Sequence, residues 1–187
     1  MDALAHFLPI GVSPLLTQAT SLSCTVEPSY GCLVIRLPDL EVAIYALSPN
    51  GVDPASILPS LLTDKTFFPL SKITKLELTQ HDVSSCLPLT EFESLEVLGL
   101  DDCWEELVFS ALQPSAGDTP PCPHLRELNI RPSEDRDFPS TPLLEMAKAR
   151  KEAGCGIKKI IMDPEPEGMP REVVAALEGY VEELDLA

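Results

Sequence analysis

Positive charge is scarce in this sequence: 13 lysines and arginines stand against 30 aspartates and glutamates, a formal net charge of −17. With no basic stripe to neutralise phosphates, nucleic-acid binding is excluded. The nearest candidate, "KARK" at 148–151, falls late in an expected helix, where cations meet the negative end of the helix dipole. No apolar run approaches the roughly 18 residues that a membrane span needs. The N-terminus lacks the positive charge of a signal peptide, carrying Asp2 in its place, and Pro9 and Pro14 interrupt its apolar stretch. An intracellular protein, cytoplasmic or nuclear and without membrane contact, is expected.

There is no CxxC pair either. The six cysteines, at 24, 32, 86, 103, 122 and 155, are irregularly spaced and read as reduced, mostly buried thiols. Cys122 with His124 and His81 with Cys86 both lack the second close pair that would complete four zinc ligands, so neither metal nor cofactor is expected. Catalytic machinery is equally thin. His81, Asp82 and Cys86 lie close together, but no glycine turn of the oxyanion type accompanies them, and the chain reads as non-enzymatic.

What is present is a foldable composition, 44% apolar and 23% charged, in 187 residues. A chain of this length buries roughly 70% of its unfolded surface. A template of apolar-x-x-apolar-x-apolar recurs as "ITKLEL" from Ile73, "LEVLGL" from Leu95, "LRELNI" from Leu125, "IKKIIM" from Ile157 and "VEELDL" from Val181, at steps of 22, 30, 32 and 24 residues. Three apolar slots alone recur by chance. Here most interleaved positions are polar, as in a half-buried strand, and each step fits one strand plus a return segment. The ninth position of the Leu95 unit is Cys103, where leucine-rich repeats place an inward Asn or Cys; His81 and Ser133 occupy it in neighbouring units.

The return segments read as helices and loops. Thr141 is expected to cap a helix that has Pro142 in its first turn and Gly154 at its end, with Glu145 early and Lys148, Arg150 and Lys151 late. A second helix spans about Pro170 to Glu178, with Val173, Val174 and Leu177 on one side before Gly179. A third follows Asp53-Pro54 and must contend with Pro59. The stretch from Gln113 to Pro123, "QPSAGDTPPCP", reads as a solvent-exposed excursion. Near the N-terminus, "SLSCTV", "CLVIRL" and "LEVAIYAL" read as three short strands, with "EPSYG" joining the first two. Their intervals are too short for full repeats, which favours an antiparallel cap or insertion over early repeat units.

The expected fold is therefore α/β. A leucine-rich-repeat solenoid of about five repeats covers residues 71–187, with short parallel strands inside and helices or loops outside. Residues 1–70 form its irregular, β-rich N-terminal cap. Residues alternating with the buried ones should line the inner, partner-binding surface: Lys75, Glu77 and Thr79; Val97, Gly99 and Asp101; Glu127, Asn129 and Arg131; Lys159, Ile161 and Asp163; Glu183 and Asp185.

From Ile73 to Ala187, "ITKLEL", "LEVLGLDDCWEEL", "CPHLRELNI" and "LLEMAKARKEAGCGIKKIIM" resemble the leucine-rich-repeat region of F-box-type proteins, especially divergent fungal ones. In that family the N-terminal F-box docks on the adaptor subunit of a cullin-type ubiquitin ligase, and the repeats hold the protein to be ubiquitinated. The resemblance implies a protein-recognition function. No amphipathic run resembling an F-box precedes the repeats here, since Pro9 and Pro14 break "HFLPIGVSPLL". The chain thus reads as the recognition part; a docking segment within residues 1–70 would add the ligase adaptor as a partner. Its last unit ends at Leu186-Ala187 without the polar cap of a terminal repeat.

The alternative is an acidic repeat protein that binds or inhibits a basic one, suggested by the net charge and by Asp101, Asp102, Glu105 and Glu106 lying together. Strong salt dependence would mark it. Trp104, the only tryptophan, reads as a packing anchor before a contact residue.

Overall fold

Alternation of apolar and polar residues fixes where strands form and which face they bury. The computed structural model describes residues 18–27, 32–37, 42–47, 70–79, 88–103, 105–115, 119–133 and 136–187. The expected helix after Asp53-Pro54, most of the "EPSYG" connection, and His81, Asp82, Cys86 and Trp104 lie outside them. Among the described residues eight strands form one sheet: β1 (Ser21–Glu27), β2 (Cys32–Leu37), β3 (Val42–Leu47), β4 (Lys75–Thr79), β5 (Val97–Asp101), β6 (Glu127–Arg131), β7 (Lys159–Met162) and β8 (Glu183–Leu186). Their spatial order is β3-β2-β1-β4-β5-β6-β7-β8, an open sheet with β3 and β8 at its edges. Strand β1 and strands β4 to β8 run parallel; β2 and β3 are added antiparallel beyond β1.

The parallel strands share one register. Leu22, Leu76, Leu98, Leu128 and Ile160 align across them, as do Cys24, Leu78, Leu100, Ile130 and Met162. Every residue of these two columns is at most 2% exposed. Just before each strand an apolar residue (Ala19, Ile73, Leu95, Leu125, Ile157) makes a third buried column. Between the columns the backbone repeats one device: the carbonyl oxygens of Thr20, Thr74, Glu96, Arg126 and Lys158 each accept two N–H bonds, from the two residues that lead into the next strand. At the first junction these donors are Thr74 and Lys75, at 2.7 and 3.2 Å, and at the last Glu182 and Glu183, at 2.8 and 2.9 Å. The N-terminal β1 therefore joins the parallel series in the same register, and the antiparallel extension begins only at β2.

Three helices follow β5, β6 and β7: α1 (Glu105–Leu112), α2 (Ser140–Glu152) and α3 (Arg171–Glu178). They pack in sequence order, α1 on α2 and α2 on α3. Phe109, Leu112, Leu143, Met146 and Leu177 from these helices join the strand columns in one apolar core. Parallel sheets covered on both faces read as continuous apolar runs. Helices cover one face here, which is why the strands alternate. Directly ahead of β4 and β5 the described residues form a short 3-10 turn, Leu70–Lys72 and Leu89–Glu91, each burying its leucine. No helix among the described residues is long and apolar enough to cross a membrane.

Helix α1 is absent from the sequence reading, although Glu105 and Glu106 favour its positive end and Val108, Phe109 and Leu112 share its buried side. One further detail departs from it. Thr141 does not cap α2: the helix starts at Ser140, and the Pro139 carbonyl already accepts the Leu143 N–H at 3.2 Å. At the other end Gly154, with φ of +76°, takes the left-handed position that favours glycine, and the Cys155 N–H reaches back to the Arg150 oxygen at 3.0 Å.

The segment from Gln113 to Pro123 is exposed at Ser115 and Thr119, with residues 116–118 outside the described ones, but it is anchored at both ends. Arg150 of α2 has no exposed surface and donates to the carbonyls of Leu112 at 3.1 Å, Pro121 at 2.8 Å and Cys122 at 2.8 Å. One guanidinium thus ties the end of α1 to the turn that leads into β6. Lys151 in turn donates to the Gly179 carbonyl at 2.8 Å, linking α2 to the end of α3. The "KARK" cluster is mostly structural.

Cys24, Cys103 and Cys122 are buried, while Cys155 is partly covered. The Cys103 thiol donates to the Leu78 carbonyl at 3.2 Å, and that of Cys122 to the Leu89 carbonyl at 3.2 Å. Burial pushes the Cys24 and Cys122 thiols from 9.0 up to about 12. Between these values the unfolded chain loses protons that the folded one keeps. Stability should therefore fall above pH 9, by about 1.4 kcal/mol per pH unit for each thiol. Urea midpoints at pH 8, 9 and 10 check this; a midpoint unchanged to pH 10 would contradict it.

Candidate binding face

The face opposite the helices is built from the polar half of each strand. Register sets it in rows: Lys75, Val97, Glu127, Lys159 and Glu183 form one, and Glu77, Gly99, Asn129, Ile161 and Asp185 the next. Thr79, Asp101 and Arg131 form a third, with Asp163 directly after the end of β7. All the residues expected to line a binding surface thus share one face, and none is buried.

A shallow depression of about 340 Å³ lies in the middle of that face. Glu77, Thr79, Gly99, Asp101, Asn129, Arg131, Ile161 and Asp163 line it. Lys75, Val97, Glu127, Lys159, Glu183 and Asp185 lie outside it on the same face. Gly99 makes the depression possible: a Cβ there would sit 3.2 Å from the Glu77 Cγ, so any larger side chain would fill the space beside Glu77.

Several charges of the face are already engaged. Lys75 pairs with Glu77 at 2.8 Å, and Lys159 with Glu183. The Glu183 contact raises the pKa of Lys159, helped by Asp185 and Glu127. Asn129 donates through Nδ2 to Glu127 at 3.0 Å, leaving its Oδ1 covered and without a partner among the described residues. Such ion pairs between half-exposed groups add little to stability, about 0–1 kcal/mol each. Their effect is to arrange the face. Asp101, Arg131 and Asp163 at its upper edge are in no ion pair among the described residues.

The four-acid cluster suggested by the sequence is not an acidic patch. Asp102, in a left-handed turn at φ of 51°, pairs with Arg136 at 2.6 Å. Glu105 is only 6% exposed, and burial raises its pKa, an effect that its own backbone N–H and Arg136 oppose. Asp101 belongs to the open face and Glu106 is exposed.

A second cavity, of about 690 Å³, escaped the sequence reading. It opens between the loop after β6, with Arg136 to Phe138, and the loop after β7, with Pro164 to Glu167. The signal available was compositional: "RPSEDRDFP" and "DPEPEG" are proline-rich and acidic, and both follow strand ends.

Among the described residues no group of three or more His, Cys, Asp or Glu side chains is placed to hold a metal ion. The chain matches no protein-family model, and no curated protein or solved structure is significantly similar to it.

Proposed function

We propose that the chain is a non-enzymatic protein-binding module, a leucine-rich-repeat array of the kind that resembles the substrate-recognition repeats of F-box ubiquitin-ligase receptors. The observation that carries the reading is the recurrence of one unit: a buried apolar residue, a carbonyl that accepts two N–H bonds, and a strand whose two inward residues continue the same columns. Cys103, whose thiol bonds to the Leu78 carbonyl of the preceding strand, does what an inward repeat residue must do. A solenoid of such units presents its strand face to partners, because the helices occupy the other side. The open face here carries fixed charges around a depression, which gives orientation and selectivity more than bulk affinity.

Affinity capture from cell extract tests the reading. The double variant Glu127→Lys/Arg131→Glu reverses charges on the open face without touching the core. It should retain the fold, with a melting temperature within about 3 °C of the parent. Capture of the partner should fall about tenfold or more. Unchanged capture would remove the function from this face. Recovery of the cullin adaptor with the parent chain would further identify a ligase receptor.

A further inference from the structure

The cavity beyond the strand ends has a chemistry of its own. Asp137, Glu165 and Glu167 are exposed at it and take part in no ion pair among the described residues. Among the described residues the one cation in its lining, Arg136, is held by Asp102 at 2.6 Å. Phe138 and prolines of both loops supply rigid apolar walls. These walls are fixed in advance: the Phe138 ring packs edge-on against Phe109 at 6.3 Å and 70°, and the Glu165 N–H donates to the Ala187 carbonyl at 2.8 Å. Pre-positioned walls save a ligand the entropy of ordering them.

The cavity is also continuous with the open face. Arg131 and Asp163 line the central depression, and the residues that follow them, Pro132 and Pro164, line the loop cavity. An extended segment lying along the face would run directly into it.

We propose that the loop cavity takes an arginine or lysine side chain of the bound protein segment, which deepens and rests on the reading of the open face as the partner-binding surface. An anion would meet three carboxylates and no uncommitted cation. A purely apolar side chain would strip water from those carboxylates without replacing it. A long cationic side chain satisfies both kinds of wall: its stem lies against the prolines, its charge faces Asp137, Glu165 and Glu167, and the Phe138 ring adds a cation–π contact.

Fluorescence anisotropy with a labelled peptide of alternating arginine and alanine tests this, against the same peptide with citrulline in place of arginine. The arginine peptide should bind, weaken with salt, and outcompete the citrulline one. The variant Asp137→Asn/Glu165→Gln/Glu167→Gln should weaken binding about tenfold or more, whereas Glu145→Gln/Glu172→Gln/Glu178→Gln, which removes equal charge from the helices, should change it less than about twofold. Phe138→Leu, which keeps an apolar group against Phe109, should cost about threefold. Equal losses in the two triple variants, or equal binding of the citrulline peptide, would overturn the proposal by reducing it to diffuse charge attraction. Either result leaves the open-face reading standing so long as Glu127→Lys/Arg131→Glu still abolishes capture, so the two claims fail separately.

Discussion

Replacing Arg150 with methionine is expected to lower the free energy of unfolding by about 3–5 kcal/mol. The three carbonyls it serves, on Leu112, Pro121 and Cys122, are in its buried surroundings and would lose their donor together. Each orphaned buried acceptor costs about 1–3 kcal/mol, partly offset because a buried guanidinium no longer has to be desolvated. Burial depresses the Arg150 pKa, but a guanidinium does not deprotonate in proteins, so the charge stays and the penalty for it is real. Arg150→Lys should rescue only part of the loss, since one ammonium cannot reproduce the planar fork that reaches three oxygens. Urea denaturation with an unchanged slope would measure it; a loss below about 1 kcal/mol would show that the 113–122 segment is held by other contacts.

The second large effect lies in the leucine columns. Leu128 sits on β6, with β5 and β7 on either side and helices over it, and is fully buried. Leu128→Ala should cost about 2–5 kcal/mol, the transfer term plus a cavity that paired neighbours cannot close. Leu186 occupies the other column on β8, which is paired on one side only and leaves the residue half-buried. Leu186→Ala should cost about 1 kcal/mol. A gradient from centre to edge is what a one-dimensional stack produces, because each unit buries its apolar side only against its neighbours. Equal costs at the two positions would contradict it.

The strands were the most legible part of the sequence, and the reason is physical. A sheet with helices on one face alone must alternate, so "KLELT", "VLGLD" and "ELNIR" declare both their conformation and their inward residues. The same signal marked β1 as a strand but hid its place in the parallel series. There Leu22 keeps its column, but the other two are filled by Ala19 and Cys24, small or ambiguous apolar residues that a template of large aliphatic ones passes over. Helix α1 is as short as α3 but lacks the flanking Pro170 and Gly179 that mark α3, and its exposed Leu107 blurs the apolar stripe of Val108, Phe109 and Leu112. Arg150 was missed for a different reason: no pattern within a chain reveals that three carbonyls, 28 to 38 residues away, will converge on one side chain. A lysine- and arginine-rich helix end looks solvated until tertiary contacts are known.

The open face divides in the same way. Which residues point outward follows from the period of two, and register then sets them in rows. The depression over Gly99 and the loop cavity beyond it depend on what the neighbours lack, and on loop paths that alternation does not encode. Charge shows the limit most clearly. Asp101, Asp102, Glu105 and Glu106 are neighbours in sequence, yet Asp102 is paired and Glu105 buried. Sequence proximity overstated that patch and overlooked the carboxylates of two separate loops.

Carboxylate footprinting of the chain in complex with its captured partner would test the central claim most directly. Carbodiimide labelling with a small amine reports each acidic residue by mass. Glu77, Asp101, Glu127 and Asp163, on the open face, should be protected in the complex, while Glu145, Glu172 and Glu178, exposed on the helices, should label as they do in the free chain. Protection confined to the helix acids, with the open face labelled as before, would contradict the account and move the binding surface to the other side of the sheet.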